Sequence, residues 1–202
     1  SRERRQSPLS YMDDAQLRAA YLAYFVPVNL AKVQELLDEL SPALYWGHRD
    51  GVTRVLVLGC GPGTGIMGVL DWATSNGLLG DSGLECVAVD RSRQALTTCR
   101  ELWDHYMPPV GSQQCRLQLV QSDLRHDWRP AIQQSYGTTE YDLIIMQNAL
   151  SEVFVGDPDR IERRADIITV ALDLLSDKGT LMLIEPALRD SCRDVHKVRG
   201  SL

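Results

Sequence analysis

The sequence predicts an α/β fold: five parallel strands in one sheet, helices on both faces, and a helical cap ahead of the first strand. Three observations carry this. Short apolar runs at residues 55–58, 85–90, 116–123, 141–146 and 180–184 alternate with longer amphipathic stretches, the pattern that builds parallel sheets. The first run ends in a glycine-rich turn, R-V-L-V-L-G-C-G-P-G-T-G over residues 54–65, and a helix-compatible run follows at Ile66. Polar residues then gather at the carboxyl ends of later runs: Asp90, Ser122-Asp123 and Gln147-Asn148.

Composition bounds the rest. At 202 residues and 44% hydrophobic, the chain is long and apolar enough for one domain with a sizeable core. No apolar run approaches the roughly 20 residues that span a bilayer, so no membrane partner is expected. The N-terminus, S-R-E-R-R-Q-S-P, lacks the apolar stretch of a secretory signal. Five cysteines without a C-x-x-C pair fit reduced thiols in a cytoplasmic protein, with no metal site. The net charge of −6 argues against a globally basic nucleic-acid binder while leaving room for a local basic patch.

Residues 1–10 are polar and read as loose. A helix follows, with Asp13 as its N-cap and Leu17, Ala20, Tyr21, Tyr24 and Phe25 at helical spacing. Pro27 is expected to interrupt it. A second helix carries Leu30, Val33, Leu36, Leu37 and Leu40 on one face, and Ser41-Pro42 ends it. The two helices form a cap over residues 1–50, leaving 51–202 as the α/β domain. The Tyr21, Tyr24 and Phe25 cluster reads either as core, the commoner use, or as the roof of a ligand pocket. Residues 42–53, with Tyr45, Trp46 and a surface His48, connect cap to sheet.

Beyond the glycine turn, residues 66–75 read as the first crossover helix and 76–83 as a glycine-dense loop. The second strand ends at Asp90. Residues 92–106 form a helix, stopped by Met107-Pro108-Pro109, and the third strand ends in Ser122-Asp123. Residues 125–139 read as a short helix plus loop. The fourth strand, 141–146, leads to Gln147-Asn148 and then Ser151-Glu152. Asp157-Pro158 opens a helix through residue 175, Asp177-Lys178-Gly179 is a turn, and 180–184 is the fifth strand. A last helix begins at Arg189.

Sheets of this kind bind ligands beyond the carboxyl ends of their strands, where strand order reverses. The glycines allow positive φ and close approach of a ligand. The helix start beyond them suits an anionic group. No G-x-x-x-x-G-K-[ST] is present, so there is no P-loop. The one G-x-G-x-x-G, at Gly63, Gly65 and Gly68, starts too late after the strand for a dinucleotide fingerprint. Asp90 ends a second strand, where an acid accepts from ribose hydroxyls; the competing reading is a helix or turn cap. Ser122-Asp123 reads equally as an adenine contact or a strand-end cap.

The G-x-G-x-G at Gly59, Gly61 and Gly63 resembles motif I of the class I S-adenosylmethionine-dependent methyltransferases, and the resemblance covers roughly residues 54–186. Val57 stands where that motif carries an acid. The resemblance implies a Rossmann-like sheet with the first strand between the second and fourth. It also implies S-adenosylmethionine as cofactor and S-adenosylhomocysteine as product. Gly59, Cys60, Gly61, Gly63 and Thr64 would meet the amino-acid end, Asp90 the ribose, and Ser122 and Asp123 the base, with Arg91 and Leu124 as further cofactor contacts. Gln147 and Asn148 would lie at the mouth of the crevice. Asn148 would orient an acceptor and Glu152 act as a base, with capping as the competing role for both. There is no D-P-P-Y or N-P-P-Y for amino methylation of a base, and Cys60 reads as a packing residue.

A closer resemblance lies in residues 21–29 (Y-L-A-Y-F-V-P-V-N), 150–152 (L-S-E) and 184–199 (I-E-P-A-L-R-D-S-C-R-D-V-H-K-V-R). These are similar to the methyltransferase-like family associated with the small ribosomal subunit of mitochondria and bacteria. That implies the small subunit or its rRNA as partner, and the mitochondrial matrix as location in a eukaryote. Members of that family continue into a cysteine-rich metal or iron–sulfur segment, so the last strands of the full fold are expected to be absent from this chain. Two basic clusters, Arg160, Arg163 and Arg164, and Arg189, Arg193, His196, Lys197 and Arg199, would meet RNA phosphates or else pair with nearby acids. The readings left are a methyltransferase acting on RNA or a ribosomal component, a non-catalytic assembly factor with the same fold, and an NAD-dependent oxidoreductase.

Overall fold

The computed structural model describes residues 14–41, 44, 46–47, 50–79, 83–107, 115–133 and 140–202. In chain order it contains α1 (Ala15–Leu40), β1 (Val52–Leu58), α2 (Thr64–Ser75), β2 (Gly83–Asp90), α3 (Arg93–Tyr106), β3 (Cys115–Gln121), α4 (Arg129–Gln133) and β4 (Tyr141–Gln147). A 3-10 turn (Leu150–Glu152), α5 (Arg160–Leu172), β5 (Leu175–Ile184) and α6 (Arg189–Gly200) follow. The expected loose segment at 1–10, the Asp13 cap, Tyr45, His48 and the Pro108-Pro109 stop lie outside the described residues.

All five strands are parallel, in the order β3-β2-β1-β4-β5. β1 is central, between β2 and β4, and strand order reverses at the β1/β4 boundary. Successive side chains point to opposite faces of a strand, so each strand feeds two cores. Val55, Val57, Cys86, Ala88, Leu143 and Ile145 pack on one side with Leu30, Val33 and Leu37 of α1, Ile66 and Leu70 of α2, and Cys99 and Trp103 of α3. Leu56, Leu58, Val87, Val89, Ile144 and Met146 pack on the other with Ile132 of α4, Ala165 and Ile168 of α5, and Val198 of α6. With both faces covered, the central strands read as unbroken apolar runs.

The cap is one helix, not two. Pro27 lies inside α1, which runs unbroken from Ala15 to Leu40. A proline there forfeits one backbone hydrogen bond and crowds the carbonyl a turn earlier. Packing on both sides overrides that cost: Val26, Leu30, Val33 and Leu37 form one buried stripe across the proline. Gly68 of α2 lets the helices approach, since a Cβ there would sit 2.9 Å from the Cβ of Val33. The helix is capped by Asp14, whose carboxylate accepts from the N–H groups of Gln16 at 2.9 Å and Leu17 at 3.0 Å.

Other boundaries move for physical reasons. β1 begins at Val52, three residues before the apolar run, because pairing with β2 starts at Val52–Gly83. α5 ends at Leu172, and Leu175 already pairs with Tyr141. The Asp177-Lys178-Gly179 turn lies inside β5 as a bulge: Tyr141 faces Leu175, whereas Leu143 faces Thr180. Gly179 fits because a Cβ there would lie 2.7 Å from the Tyr141 carbonyl. Asp157 does not cap α5. It accepts from Asp159 N–H at 2.9 Å, and Asp159 occupies the cap position without a side-chain bond. Among the described residues, no helix is long and apolar enough to cross a membrane.

Candidate functional site

Strand register brings the scattered polar residues to one level. Leu58 faces Val89 on one side and Met146 on the other, and Met146 faces Leu183. The next residues, Gly59, Asp90, Gln147 and Ile184, therefore stand level at the carboxyl edge of the sheet. The ladder reaches into the turns: Cys60 N–H donates to Val89 O at 2.9 Å, Ser122 N–H to Asp90 O at 3.1 Å, and Asn148 N–H to Ile184 O at 2.7 Å.

Above this rim lies a crevice of about 840 Å³, open solvent at its mouth included. Every residue proposed from the sequence lines it except Gly63: Gly59, Cys60, Gly61, Thr64, Asp90, Arg91, Ser122, Asp123, Leu124, Gln147, Asn148 and Glu152. Gly63 shapes the turn instead. It takes φ +93° and caps α2, and a Cβ there would meet Cys99 Sγ at 2.5 Å.

The turn glycines divide by what surrounds them. Gly59, at φ +67°, lets Ala149 approach to 2.5 Å from where its Cβ would be. Gly61, at φ +53°, has nothing within 4 Å of that point. The hollow above Gly61 is thus unplugged. Val57 takes no part: it is buried in the core, against Gly65. Cys60 is buried too. A bond to Cys99 and its burial push its thiol well up, which leaves it no nucleophile at neutral pH.

Asp90 does more than one thing. Its Oδ2 accepts from Gly61 N–H and its Oδ1 from Ser92 N–H, both at 2.8 Å. The carboxylate thereby pins the glycine turn, and each oxygen keeps a lone pair. Burial raises its pKa, and those two N–H bonds pull it back. Asp123 is committed to Arg125, which engages both its oxygens and holds the carboxyl down at about 2. The capping reading of Asp123 therefore describes its present bonds.

Glu152 closes the mouth. Burial among the crevice walls pushes its carboxyl up to about 7; Arg91 lowers it, and Glu185 and Asp90 raise it again. More than a third of the residue's surface still reaches solvent, so water screens part of that push. Its 3-10 turn is clamped from both ends. Glu185 Oε1 accepts from Leu150 N–H at 2.8 Å and Ser151 N–H at 3.3 Å. Arg164 donates to Ser151 O at 3.0 Å and Val153 O at 2.8 Å. Asn148 stands in the left-handed region, φ +54°, which asparagine tolerates better than most side chains.

The crevice also holds residues the sequence did not assign to it: Asn29, Ser92, Ala95, Ala149 and Val153. Asn29 carried a readable signal, a buried amide on the apolar stripe of α1. It belongs to a relay: Thr64 Oγ1 donates to Gln147 Oε1 at 3.1 Å, and Gln147 Nε2 donates to Asn29 O at 2.8 Å. Gln147→Met should break both bonds and lower the unfolding free energy by about 1–3 kcal/mol, read by urea denaturation. Tyr21 also lines the crevice, with burial first and Glu152 second raising its phenol. The core reading of its cluster does not hold, because Tyr24 and Phe25 are exposed at 68% and 47%.

The two basic clusters differ. Arg164 is buried, Arg160 pairs with Asp194 at 2.9 Å, and Arg163 pairs with Asp157 at 2.6 Å while lying over the Phe154 ring. That cluster is spent on internal contacts, with Asp194 and Asp157 as partners. Arg189, Arg193, His196, Lys197 and Arg199 are exposed on α6.

No protein-family model and no curated protein sequence matches the chain. Solved structures do. A S-adenosylmethionine-dependent methyltransferase from Clostridium acetobutylicum is similar at TM-score 0.53 and 12% identity, over 83% of this chain and 55% of its own. A candidate S-adenosyl-L-methionine-dependent methyltransferase from Methanococcus maripaludis gives 0.53 and 16%, over 99% and 76%. A candidate RNA methyltransferase from Pyrococcus horikoshii gives 0.51 and 15%, over 85% and 66%. The chain thus spans little more than half of the Clostridium structure. With β1 at the centre of an all-parallel sheet and the crevice at its reversal point, this chain has the Rossmann-like fold of the class I methyltransferases.

Proposed function

We propose that this protein is an S-adenosylmethionine-dependent methyltransferase acting on RNA or on a component of the small ribosomal subunit. One observation carries the cofactor: residues from four strand ends meet around one crevice whose floor, at Gly61, is free of side chains. Bound there, S-adenosylmethionine supplies a methyl group already activated by its sulfonium, so the protein's work is placement and exclusion of water.

Each residue then has a role. The turn from Gly59 to Thr64 offers backbone N–H groups and the positive end of α2 to a carboxylate. Asp90 accepts from ribose hydroxyls on the lone pairs that Gly61 and Ser92 leave free. Ser122 and Leu124 flank the base, and Arg91 balances the acids around it. Asn148 orients the acceptor. Glu152, poised near neutrality, takes up the acceptor's proton. The RNA and small-subunit reading rests on residues 21–29, 150–152 and 184–199, and on the exposed cations of α6. It places the protein in the cytoplasm, or in the matrix if mitochondrial.

A second reading is a non-catalytic assembly factor that keeps the fold and cofactor. The burial of Val57, where the motif has an acid, favours it. Calorimetry with S-adenosylmethionine and NAD tests the cofactor: binding of the first and not the second is expected, and binding of NAD alone would overturn the proposal. Radiolabel transfer to isolated small-subunit particles then separates enzyme from assembly factor. Incorporation into RNA or protein is expected; cofactor binding without transfer favours the second reading.

A further inference from the structure

We propose that the crevice reads the charge of its ligand, holding the cationic sulfonium form of the cofactor more tightly than the neutral thioether product, with Glu152 as the discriminating group. This rests on the cofactor reading above and adds to it which form is preferred and why. Three carboxylates line the crevice, Asp90, Asp123 and Glu152, against one cation, Arg91. They are not equivalent. Asp123 is neutralised by Arg125 through bonds at 3.0 Å. Asp90 is held by two neutral N–H donors and makes no direct ion pair among the described residues, with Arg91 acting on it only at longer range.

Glu152 has no ion pair and no side-chain hydrogen bond among the described residues, and it sits at the mouth beside Asn148. Glu185, behind the same turn, adds negative potential from β5. From α1 the Tyr21 phenol faces this region, while Lys32 is exposed outside the crevice lining and donates to Asn29 Oδ1 at 3.3 Å. Arg91 alone opposes the acids on Glu152. The balance at the mouth is negative wherever Glu152 is ionised. A ligand centre that is positive at sulfur gains from that balance, and one that is neutral at sulfur does not. The site therefore favours the loaded form and releases the spent one.

The geometry also fixes how pH enters. Protonation of Glu152 on acidification removes the discriminating charge, so preference falls as pH falls through about 7.

The test is calorimetric binding of S-adenosylmethionine, S-adenosylhomocysteine and sinefungin, an unreactive analogue with an amine in place of the sulfonium centre. Wild type and Glu152→Gln are compared at about pH 8 and about pH 6, either side of the Glu152 transition. At the higher pH, wild type should bind both cationic ligands roughly tenfold tighter than the thioether, the size of one partly screened charge contact. The ratio should fall toward one at the lower pH. Glu152→Gln should show the low ratio at both. Equal affinity of wild type for all three at the higher pH, or an unaltered ratio in Glu152→Gln, would overturn this inference alone. Failure of all three to bind folded protein would overturn the cofactor reading with it.

Discussion

Arg164→Met should lower the unfolding free energy by about 3–5 kcal/mol, the cost of removing one partner from a buried charged network. Arg164 is only 4% exposed, and all three nitrogens of its planar fork donate. Nη1 donates to Asp194 Oδ2 at 2.9 Å, Nε to Val153 O at 3.0 Å, and Nη2 to both Val153 O and Ser151 O. Methionine fills the stem's volume, so the loss isolates the guanidinium. Asp194 keeps Arg160, but the two carbonyls lose their donors. They belong to the segment that carries Glu152, so hydrogen exchange at residues 150–154 should rise as well. Arg164→Lys restores charge without the fork and should recover only part. Arg160→Met is the control: its side chain is 36% exposed and Asp194 retains Arg164, so a far smaller loss is expected. Equal costs for Arg160→Met and Arg164→Met in urea denaturation would refute this account.

Arg164 also marks where the sequence stops being legible. Its charge placed it in a basic cluster on a helix face, and nothing local distinguishes it from Arg160 or Arg163. What buries it is the carbonyl pair of a loop 11 to 13 residues earlier and an acid 30 residues later. The readable parts are those set by local constraint. Apolar runs covered on both faces are visible as runs, and Gly59, Gly61 and Gly63 are visible because their φ values suit glycine. Asp90 and Gln147 are visible because a strand's carboxyl end is a fixed place in a parallel sheet. Pro27 misled because its local cost is real but smaller than the packing of α1 on α2. Tyr21 was ambiguous because an aromatic at helical spacing says nothing about which neighbour it meets. Here the neighbour is the crevice.

The three turn glycines differ in a way that separates fold from binding. Gly61→Leu should leave the protein folded and weaken S-adenosylmethionine binding by more than about a hundredfold, through steric filling of the space the ligand needs. A leucine at φ +53° costs about 1–2 kcal/mol in backbone strain, which a domain of this size tolerates. Its Cβ meets nothing within 4 Å, so no packing is disturbed, and the backbone N–H still reaches Asp90. The rest of the side chain projects into the crevice. Gly59→Ala and Gly63→Ala behave in the opposite sense. Each places a Cβ 2.5 Å from a neighbour, Ala149 Cβ or Cys99 Sγ, at a positive φ. Their cost is backbone strain plus an overpacking term of about 1–3 kcal/mol, although they add a single carbon. Thermal denaturation should therefore rank both alanine variants below Gly61→Leu, while calorimetry at a temperature where all are folded ranks Gly61→Leu weakest. If Gly61→Leu binds S-adenosylmethionine as wild type does, the ligand does not lie over Gly61, and the crevice is not its site.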